Sequence, residues 1–516
     1  MYLTQALHRC ARQTPDTPAT IFADRVRTWA QSADRVARLA AALRGAGVGV
    51  GDRVAMLALN SDRYHEYLFA VPWAGGVVTP MNIRWNPAEI AYALGDSGST
   101  VLFVDDAFAP MLPTLRSLCP GLTTVVHCGD GPAPEGSLPY EGLVAGHDPA
   151  PDAHRSGDDL AGIFYTGGTT AHPKGVMLSH ANLLVSAMGG GATGGGFVVP
   201  DGRFLHAAPM FHLAAIATWV GRGIVGGTHV IVPMFEPAAV ARAIERHAVT
   251  EVLLVPTMIQ MLVAHLENEP AELSGVRSLI YGASPISEAL LVRAEKHFPT
   301  AGFTQAYGMT ELSPIATLLT PADHADPVLR RSAGRAAVCA EVRIVDPGDG
   351  EVPSGTVGEV VVRGGHVMLG YWNRPEETAT ALRGGWMHTG DAGYMDERGY
   401  VFIVDRVKDM IVTGGENVYS AEVENALAGH AAVAACAVIG VPDDEWGERV
   451  HAVVVLAPGA TATPDELREH CVARIAGYKA PRSVGFVDAL PVSAAGKVLK
   501  RELRAPYWAR SDRAVH

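Results

Sequence analysis

The 516-residue sequence predicts an α/β protein with a large N-terminal domain of stacked α/β sheets, a barrel-like β subdomain and a small α+β C-terminal domain. Three observations predict this architecture. Apolar runs of strand length alternate with helical stretches over residues 54–282, which is typical of βαβ units around a parallel sheet. Residues 339–410 change to short β-rich runs between glycine-rich turns, which indicates a small antiparallel region. After Arg406 helical and strand-like runs mix again.

The individual elements follow from hydrophobic periodicity. Residues 1–48 have apolar side chains at helical spacing and are predicted to be helical. A strand at 54–60 then precedes a helix at 64–73, and another helix begins at Pro87. The further strands predicted for the large domain are 100–106, 161–168, 229–235, 249–256 and 276–282. A boundary near 405–409 divides the chain into predicted domains of 1–405 and 409–516.

Composition excludes several classes of protein. Asp and Glu number 54 against 41 Lys and Arg, and the formal net charge of −13 argues against a broad basic surface for nucleic acid. The N-terminus lacks the apolar core of a signal peptide, and the apolar runs are interrupted by glycine, histidine and proline, so no integral membrane segment is expected. These features predict a cytoplasmic protein. Six scattered cysteines without a CxxC pair predict neither a disulfide scaffold nor a cysteine-rich zinc site.

The most informative segment is YTGGTTAHPKG, residues 165–175. A strand-like run precedes it, and the apolar run that follows, 176–188, is predicted to be helical. Glycines let backbone N–H groups approach an anion, threonine hydroxyls add donors, and Lys174 adds a positive charge. A polar loop of turn-forming residues would explain the glycines and threonines, but not so many donors ending in Pro-Lys-Gly. The segment therefore predicts a phosphate-binding loop.

This segment resembles the phosphate loop of adenylate-forming enzymes, which include acyl- and aryl-CoA synthetases, carrier-linked adenylation domains and luciferases. Gly167 stands where this family usually has serine, and Ala171 where it usually has glycine. Further segments resemble the family's other motifs in the same order and cover nearly the whole chain. They are 209–215, 281–285, 305–311, 358–378, 386–391, 405–424 and 490–503. On this basis the chain is identified as a member of the superfamily, of the acyl-CoA synthetase type.

The resemblance implies a set of functional residues. It assigns catalysis to Lys497, Thr310 and Glu311, with Lys497 as the adenylation lysine and Lys500 as a surface charge. A carboxylate such as Glu311 suits Mg²⁺, because that ion prefers oxygen ligands. The residues assigned to ATP or AMP are Thr166, Gly167, Gly168, Thr169, Thr170, Lys174, Gly282, Ala283, Ser284, Gln305, Ala306, Tyr307, Thr310, Asp391 and Arg406.

Two of these nucleotide assignments have a purely structural explanation as well. Tyr307 offers a face for adenine, but a core aromatic residue is equally consistent with the sequence. Asp391 and Arg406 are assigned to the ribose, although an Asx-turn explains Asp391 equally well.

The resemblance also implies an acyl pocket and a moving C-terminal domain. The pocket is assigned to His212, Trp219, Val255, Pro256, Tyr281, Gly308 and Met309. A lone histidine in apolar company, such as His212, is more often a core residue. The CoA channel is assigned to Gly414, Gly415 and Glu416. A hinge at about 406–408, with Lys408 at its centre, would let the C-terminal domain rotate between two half-reactions.

The predicted function is an ATP-dependent carboxylic acid–CoA ligase that passes through an acyl-adenylate and releases AMP and pyrophosphate. The co-substrate is CoA and the metal Mg²⁺. The mostly apolar pocket favours a medium- or long-chain fatty acid, and an aryl or cinnamate-type acid is the second candidate. A stand-alone enzyme that loads a carrier protein, a luciferase-like oxygenase and a non-catalytic nucleotide-binding regulator are also compatible with the sequence. The sequence itself does not determine the oligomeric state; only the resemblance points to a homodimer, because dimers are common among relatives.

Overall fold

The computed structural model describes residues 1–166, 173–194, 198–199, 201–284, 286–406, 410–413, 416–443, 445–492 and 498–508, with the backbone alone for Arg406 and Asn417. The strands are β1 Pro18–Phe22, β2 Arg25–Thr28, β3 Arg53–Leu57, β4 Val77–Pro80, β5 Val101–Val104, β6 Thr124–His127, β7 Leu138–Pro139, β8 Leu160–Thr166, β9 Lys174–Ser179, β10 Arg203–His206, β11 Thr228–Ile231, β12 Glu251–Leu254, β13 Ser278–Gly282, β14 Gly302–Gly308, β15 Ile315–Leu319, β16 Arg335–Ala336, β17 Glu341–Val345, β18 Gly358–Arg363, β19 Gly370–Tyr371, β20 Met387–Met395, β21 Val401–Arg406, β22 Ile411–Thr413, β23 Glu416–Val418, β24 Val433–Asp443, β25 Gly447–Leu456 and β26 Ser483–Phe486.

The α-helices connect and cover these strands. They are α1 Gln5–Gln13, α2 Trp29–Gly45, α3 Asp62–Ala74, α4 Pro87–Ser97, α5 Leu112–Leu118, α6 Tyr140–Ala145, α7 His180–Ala192, α8 Leu213–Val225, α9 Pro237–Arg246, α10 Pro256–Leu266, α11 Glu288–His297, α12 Pro375–Ala381, α13 Ser420–Ala428, α14 Pro464–Val472 and α15 Lys500–Trp508. Within the part of the chain that the structure describes, no helix has the length and apolar character needed to cross a membrane.

The largest sheet has nine strands in the order β16-β15-β14-β13-β12-β10-β11-β1-β2. Neighbouring strands from β14 to β1 are parallel, whereas the pairs at both edges are antiparallel. Parallel neighbours need crossover connections, which α8, α9, α10 and α11 provide. Because the carboxyl ends of parallel strands meet at one edge, the segments that follow β13 and β14 lie side by side.

A second sheet has eight strands in the order β19-β9-β8-β4-β3-β5-β6-β7. Its strands from β8 to β7 are parallel, and β9 returns antiparallel to β8. The short strand β19 then pairs with β9 and sets Tyr371 opposite Val176. This pairing brings residues from the second half of the large domain to the base of the predicted phosphate loop.

Two smaller sheets complete the fold. Strands β17-β18-β20-β21 form a four-stranded antiparallel sheet, which corresponds to the barrel-like region predicted at 339–410. The C-terminal sheet has the order β23-β22-β25-β24, with β26 paired to β25, and α13 and α14 pack close to it. Its core includes Val423, Leu427, Val450 and Leu467, all buried. The predicted mixture of α/β, antiparallel and α+β parts is therefore observed.

Two predicted elements are wrong. Residues 1–48 are not helical throughout, because residues 18–28 form the β1–β2 hairpin at the edge of the nine-stranded sheet. The run predicted to continue as helix from residue 176 is instead β9 up to Ser179, and α7 begins only at His180. Ser179 caps that helix by accepting a hydrogen bond from the amide of Asn182. The predicted phosphate loop therefore joins two antiparallel strands rather than a strand and a helix.

Candidate active site

The last residues of β13 and β14 are glycines that lie against backbone carbonyl groups. Gly282 lies opposite Ala306, and a Cβ atom on Gly282 would sit 2.2 Å from the carbonyl oxygen of Ala306. A Cβ atom on Gly308 would sit 1.9 Å from the carbonyl oxygen of Pro314. Ala283 takes the left-handed conformation at φ +68°, which turns the chain sharply after β13. The chain is therefore packed and turned so tightly at the ends of β13 and β14 that positions 282 and 308 require glycine.

Two predicted nucleotide residues from different sheets come together. The hydroxyl of Tyr307, in β14, donates to Asp391 Oδ2 over 2.8 Å. Asp391 lies in β20, directly opposite Arg406 of β21. The predicted ribose residues are therefore neighbours on adjacent strands. The hydrogen bond from Tyr307 connects Asp391 to the nine-stranded sheet, in which Gly282 ends β13.

A second cluster surrounds Glu311, which is only 6% exposed. The hydroxyl of Tyr371 donates to Glu311 Oε1 over 2.8 Å. Burial, with the carboxylate of Glu311 beside it, raises the pKa of Tyr371, so the phenol remains a donor at neutral pH. The Nζ atom of Lys174 lies 5.1 Å from the centre of the Tyr371 ring and forms an ion pair with Glu377. Lys174 and Glu311, both predicted from the sequence, thus interact with the same tyrosine, one with its ring and the other with its hydroxyl.

This cluster fits the predicted metal chemistry. Mg²⁺ is bound in proteins through one or two carboxylates together with substrate phosphates. Glu311 supplies one carboxylate, oriented by Tyr371, and Thr310 places a hydroxyl-bearing residue next to it in a short 3-10 turn. Lys174, across the ring, adds the positive charge that a phosphate needs.

Four of the predicted acyl residues lie at the ends of β12 and β13 and at the start of α8, whereas Trp219 lies within α8. His212 is the residue that precedes α8, and its ring centre lies 4.1 Å from that of Phe211. Val255 and Pro256 stand at the start of α10. Tyr281 is fully buried, and its hydroxyl lies 2.9 Å from His324 Nε2 and 3.3 Å from Gln305 Oε1.

Trp219, from the same predicted set, is 2% exposed and fixed on two sides. Its indole N–H donates to His65 Nδ1 over 2.9 Å, and its ring centre lies 4.5 Å from that of Phe69. His65 belongs to a fully buried group with His206 and His229, whose Nε2 and Nδ1 atoms are 2.9 Å apart. Sequence analysis missed this histidine group, because α3, β10 and β11 bring its members together only in the folded chain.

Sequence analysis also missed Tyr371 and Glu377, although the signal was present. Both lie within the segment 358–378 that resembles a family motif, but the resemblance attached no role to them. Lys500 was predicted wrongly as a surface charge. Its side chain is 16% exposed, and its Nζ atom donates to Glu424 Oε1 over 2.8 Å and to the hydroxyl of Ser420, so its charge is paired within the C-terminal domain.

The remaining predicted residues divide into two groups. Thr166 pairs with Lys174 at the end of β8, Gln305 and Ala306 lie in β14, Met309 follows that strand, Ser284 follows Ala283, and Glu416 is exposed at the start of β23. The residues outside the described part of the chain are Gly167, Gly168, Thr169, Thr170, Lys408, Gly414, Gly415 and Lys497.

Comparison with known proteins places the chain in a family. Residues 7–372 match the AMP-binding enzyme family, and residues 422–497 match the AMP-binding enzyme C-terminal domain. The chain therefore belongs to the AMP-binding enzyme family. Within that family it is an acid–thiol ligase of the acyl-CoA synthetase type, and the prediction of this reaction class from the sequence is confirmed.

Three similar proteins illustrate the range of relatives. A feruloyl-CoA synthase from Amycolatopsis sp is 42% identical over 96% of this chain and 97% of its own length. The fatty acid–[acyl-carrier-protein] ligase ScoC from Streptomyces coeruleorubidus is 37% identical over 100% of this chain and 98% of its own. The crystal structure of the anthranilate CoA ligase AuaEII with anthranoyl-AMP superposes with a TM-score of 0.92 at 28% identity, covering 99% of this chain and 98% of that one. This likeness confirms the predicted fold class.

Proposed function

We propose that this enzyme joins a compact aromatic acid, of the phenylpropenoate class, to CoA through an acyl-adenylate. The observation that carries the proposal is the fixed position of Trp219 in the predicted acyl set. A hydrogen bond to His65 and packing on Phe69 hold its indole, so the ring cannot swing aside without breaking both contacts. The similarity to a feruloyl-CoA synthase supports the same substrate class.

The packing between Trp219 and the helices α1, α3 and α7 also favours a short substrate. A cavity of about 10 Å³ lies there, bounded by Leu3, Phe69, Leu184 and Ile224. That volume is close to the minimum for a single water molecule. A long alkyl chain that ran past Trp219 would have to displace close-packed side chains of α1, α3 and α7, and such packing resists insertion. A flat ring that stops at the indole needs no such displacement.

In the first half-reaction, a carboxylate oxygen of the acid attacks the α-phosphorus of ATP. The new O–P bond forms as the bond to pyrophosphate breaks. Two anions must meet, so the site has to neutralise and align them. We assign the ribose to Asp391, held by Tyr307, and the phosphates to Lys174. Glu311 would hold Mg²⁺, which when bound supplies positive charge to the phosphates.

In the second half-reaction, the CoA sulfur attacks the acyl carbon, the C–O bond to AMP breaks, and the thiol proton is released. We propose that domains 1–405 and 409–516 change their relative position between the steps about a hinge at 406–408. Lys497 would serve adenylation, and residues 414–416 would line the path of the CoA arm. A cytoplasmic location and a homodimer likewise remain predictions.

A fatty acid is the second candidate substrate, and a carrier-protein thiol is the second candidate acceptor. The similarity to ScoC, a fatty acid–[acyl-carrier-protein] ligase, favours both. Both alternatives can be distinguished from the main proposal. An enzyme for fatty acids would release AMP fastest with alkyl acids, and an enzyme that uses a carrier protein would form an acyl-carrier thioester instead of an acyl-CoA.

The experiment is AMP release measured with ferulate, cinnamate, benzoate, octanoate and palmitate, each with CoA or a holo-carrier protein. We expect ferulate or cinnamate with CoA to give the highest kcat/KM. In Trp219→Leu, the ratio of kcat/KM for octanoate to that for ferulate should rise, because the smaller side chain leaves more space for an alkyl chain. Trp386→Ala, which removes a tryptophan that packs on Arg343 and Arg363 in the antiparallel sheet, should leave the ratio unchanged. Faster turnover of palmitate than of any aromatic acid by the wild type would overturn the proposal.

A further inference from the structure

We propose that His8, Asp152 and His154 form a binding site for a divalent transition-metal ion, best matched by Zn²⁺. This His8–Asp152–His154 cluster lies where α1 meets the segment that leads into β8. It is separate from Glu311 and from the nucleotide residues described above. Among the described residues it is the one group of three histidine, cysteine or carboxylate ligands whose donor atoms all lie within 4.8 Å of one another.

The spacing of the donor atoms suits a tetrahedral metal. Asp152 Oδ2 lies 2.8 Å from His8 Nε2 and 3.7 Å from His154 Nδ1. In a tetrahedral site with metal–ligand distances near 2.0 Å, neighbouring ligand atoms are about 3.3 Å apart. The two separations from Asp152 bracket that value, and the donor atoms of His8 and His154 lie within 4.8 Å of each other. Rotation of the exposed His154 side chain would let all three atoms reach one ion.

The surrounding contacts hold two of the three ligands in place. The ring of His8 stacks on that of Trp73 with centres 4.5 Å apart and planes inclined by 29°. The side chain of Asp152 is only 1% exposed, and its Oδ2 atom also accepts a hydrogen bond from the hydroxyl of Thr4 over 2.6 Å. Ligands that are oriented before the metal arrives lose less freedom on binding, and outer contacts of this kind tune metal sites.

The third ligand, His154, leaves the site accessible to metal ions from solvent. The side chain of His154 is 60% exposed, so an ion and its water molecules can approach from solvent. Its backbone takes the left-handed conformation at φ +53°, and its amide donates to Asp152 Oδ1 over 2.9 Å. That tight turn directs the imidazole of His154 back toward the carboxylate of Asp152.

The ligand types select the metal. Two imidazole nitrogens and one carboxylate oxygen suit Zn²⁺ and its neighbours in the transition series, whereas Mg²⁺ and Ca²⁺ prefer all-oxygen sites. The cluster is therefore chemically distinct from the Mg²⁺ that Glu311 is proposed to hold. A bound ion would link α1, which packs on α2 and α8, to the connection that precedes β8.

The test uses the full-length chain without a polyhistidine tag and stripped of metal. Co²⁺ is titrated in the presence of excess Mg²⁺ and followed by visible absorption, and Zn²⁺ is titrated by calorimetry. We expect one equivalent to bind, and His8→Gln and His154→Gln each to weaken it at least about tenfold. His265→Gln, a partly buried histidine on α10, is the matched control and should bind as the wild type does.

Thermal unfolding gives an independent readout, because a ligand that binds the native state raises Tm. Zn²⁺ should raise the Tm of the wild type and of His265→Gln over that in EDTA, but not that of His8→Gln or His154→Gln. If instead the variants lower Tm equally with Zn²⁺ and with EDTA, the cluster is a hydrogen-bonded support only, and the proposal is wrong. Co²⁺ binding that is the same in all variants would also overturn it.

Discussion

The buried group of His65, His206 and His229 should make the large domain sensitive to mild acid. Burial lowers the pKa of His65 and of His206 to about 3, and lowers that of His229 as well. The nearby carboxylate of Asp62 partly opposes this for His65, whereas Arg222 reinforces it for the other two. All three rings are therefore neutral in the folded protein at neutral pH.

The sign and size of the effect follow from proton linkage. An exposed histidine in the unfolded chain has a pKa near 6.5, so below that pH the unfolded state binds more protons than the folded state. The free energy of unfolding must then fall as pH falls. Each histidine contributes about 1.4 kcal/mol per pH unit once the pH is well below 6.5, so the three together contribute about 4 kcal/mol per unit.

The measurement is urea unfolding at a series of pH values from 7.5 to 5, with the free energy obtained by linear extrapolation. His229→Leu should reduce the pH slope by about one proton, or ~1.4 kcal/mol per unit. Because the slope is compared, the variant's own loss of stability does not affect the result. His265→Gln serves as the control and should keep the slope of the wild type. An identical slope in His229→Leu and the wild type would show that this group does not remain neutral.

Other predictions concern the cluster around the phosphate loop and the turn after β14. Glu377→Gln should lower the KM for ATP several-fold, because Lys174 loses its ion pair and is freed for phosphate; an unchanged KM in steady-state kinetics would contradict this. Tyr371→Phe removes the donor that orients Glu311 and should raise the Mg²⁺ concentration needed for half-maximal activity, by an amount consistent with about 1.5–3 kcal/mol for a hydrogen bond to a charged group. Gly308→Ala should destabilise the protein by about 1–3 kcal/mol, because the added methyl group would overlap the carbonyl oxygen of Pro314. A Tm equal to that of the wild type would disprove the clash.

Much of the fold was predictable because it depends on local patterns. The strands at β3, β5, β12 and β13 were each found from short apolar runs, and their alternation with helices predicted the parallel sheets. The run after the phosphate loop was misjudged because an apolar segment such as GVMLS suits a buried strand or a helix equally well. Pairing with β8 and β19, which lie on either side of it, decided the outcome.

The site was predicted as a set of motifs, but not as an arrangement. Glu311 and Lys174 were identified by resemblance, yet the tyrosine that interacts with both comes from β19, far along the chain. Likewise the hydrogen bond from Tyr307 to Asp391 joins two sheets. Such contacts depend on sheet order and register, which no local sequence pattern encodes.

The attachment of Trp219 to His65 restricts how an enzyme with the proposed acyl pocket can change its substrate. A mutation that enlarges the site at Trp219 leaves a buried imidazole without its donor and opens space beside Phe69. Broader acid specificity would then cost stability immediately, so lineages that exchange aromatic for aliphatic acids should alter all three positions together. Replacing the indole, the imidazole and the phenyl ring as a unit is accordingly the rational starting point for redesign.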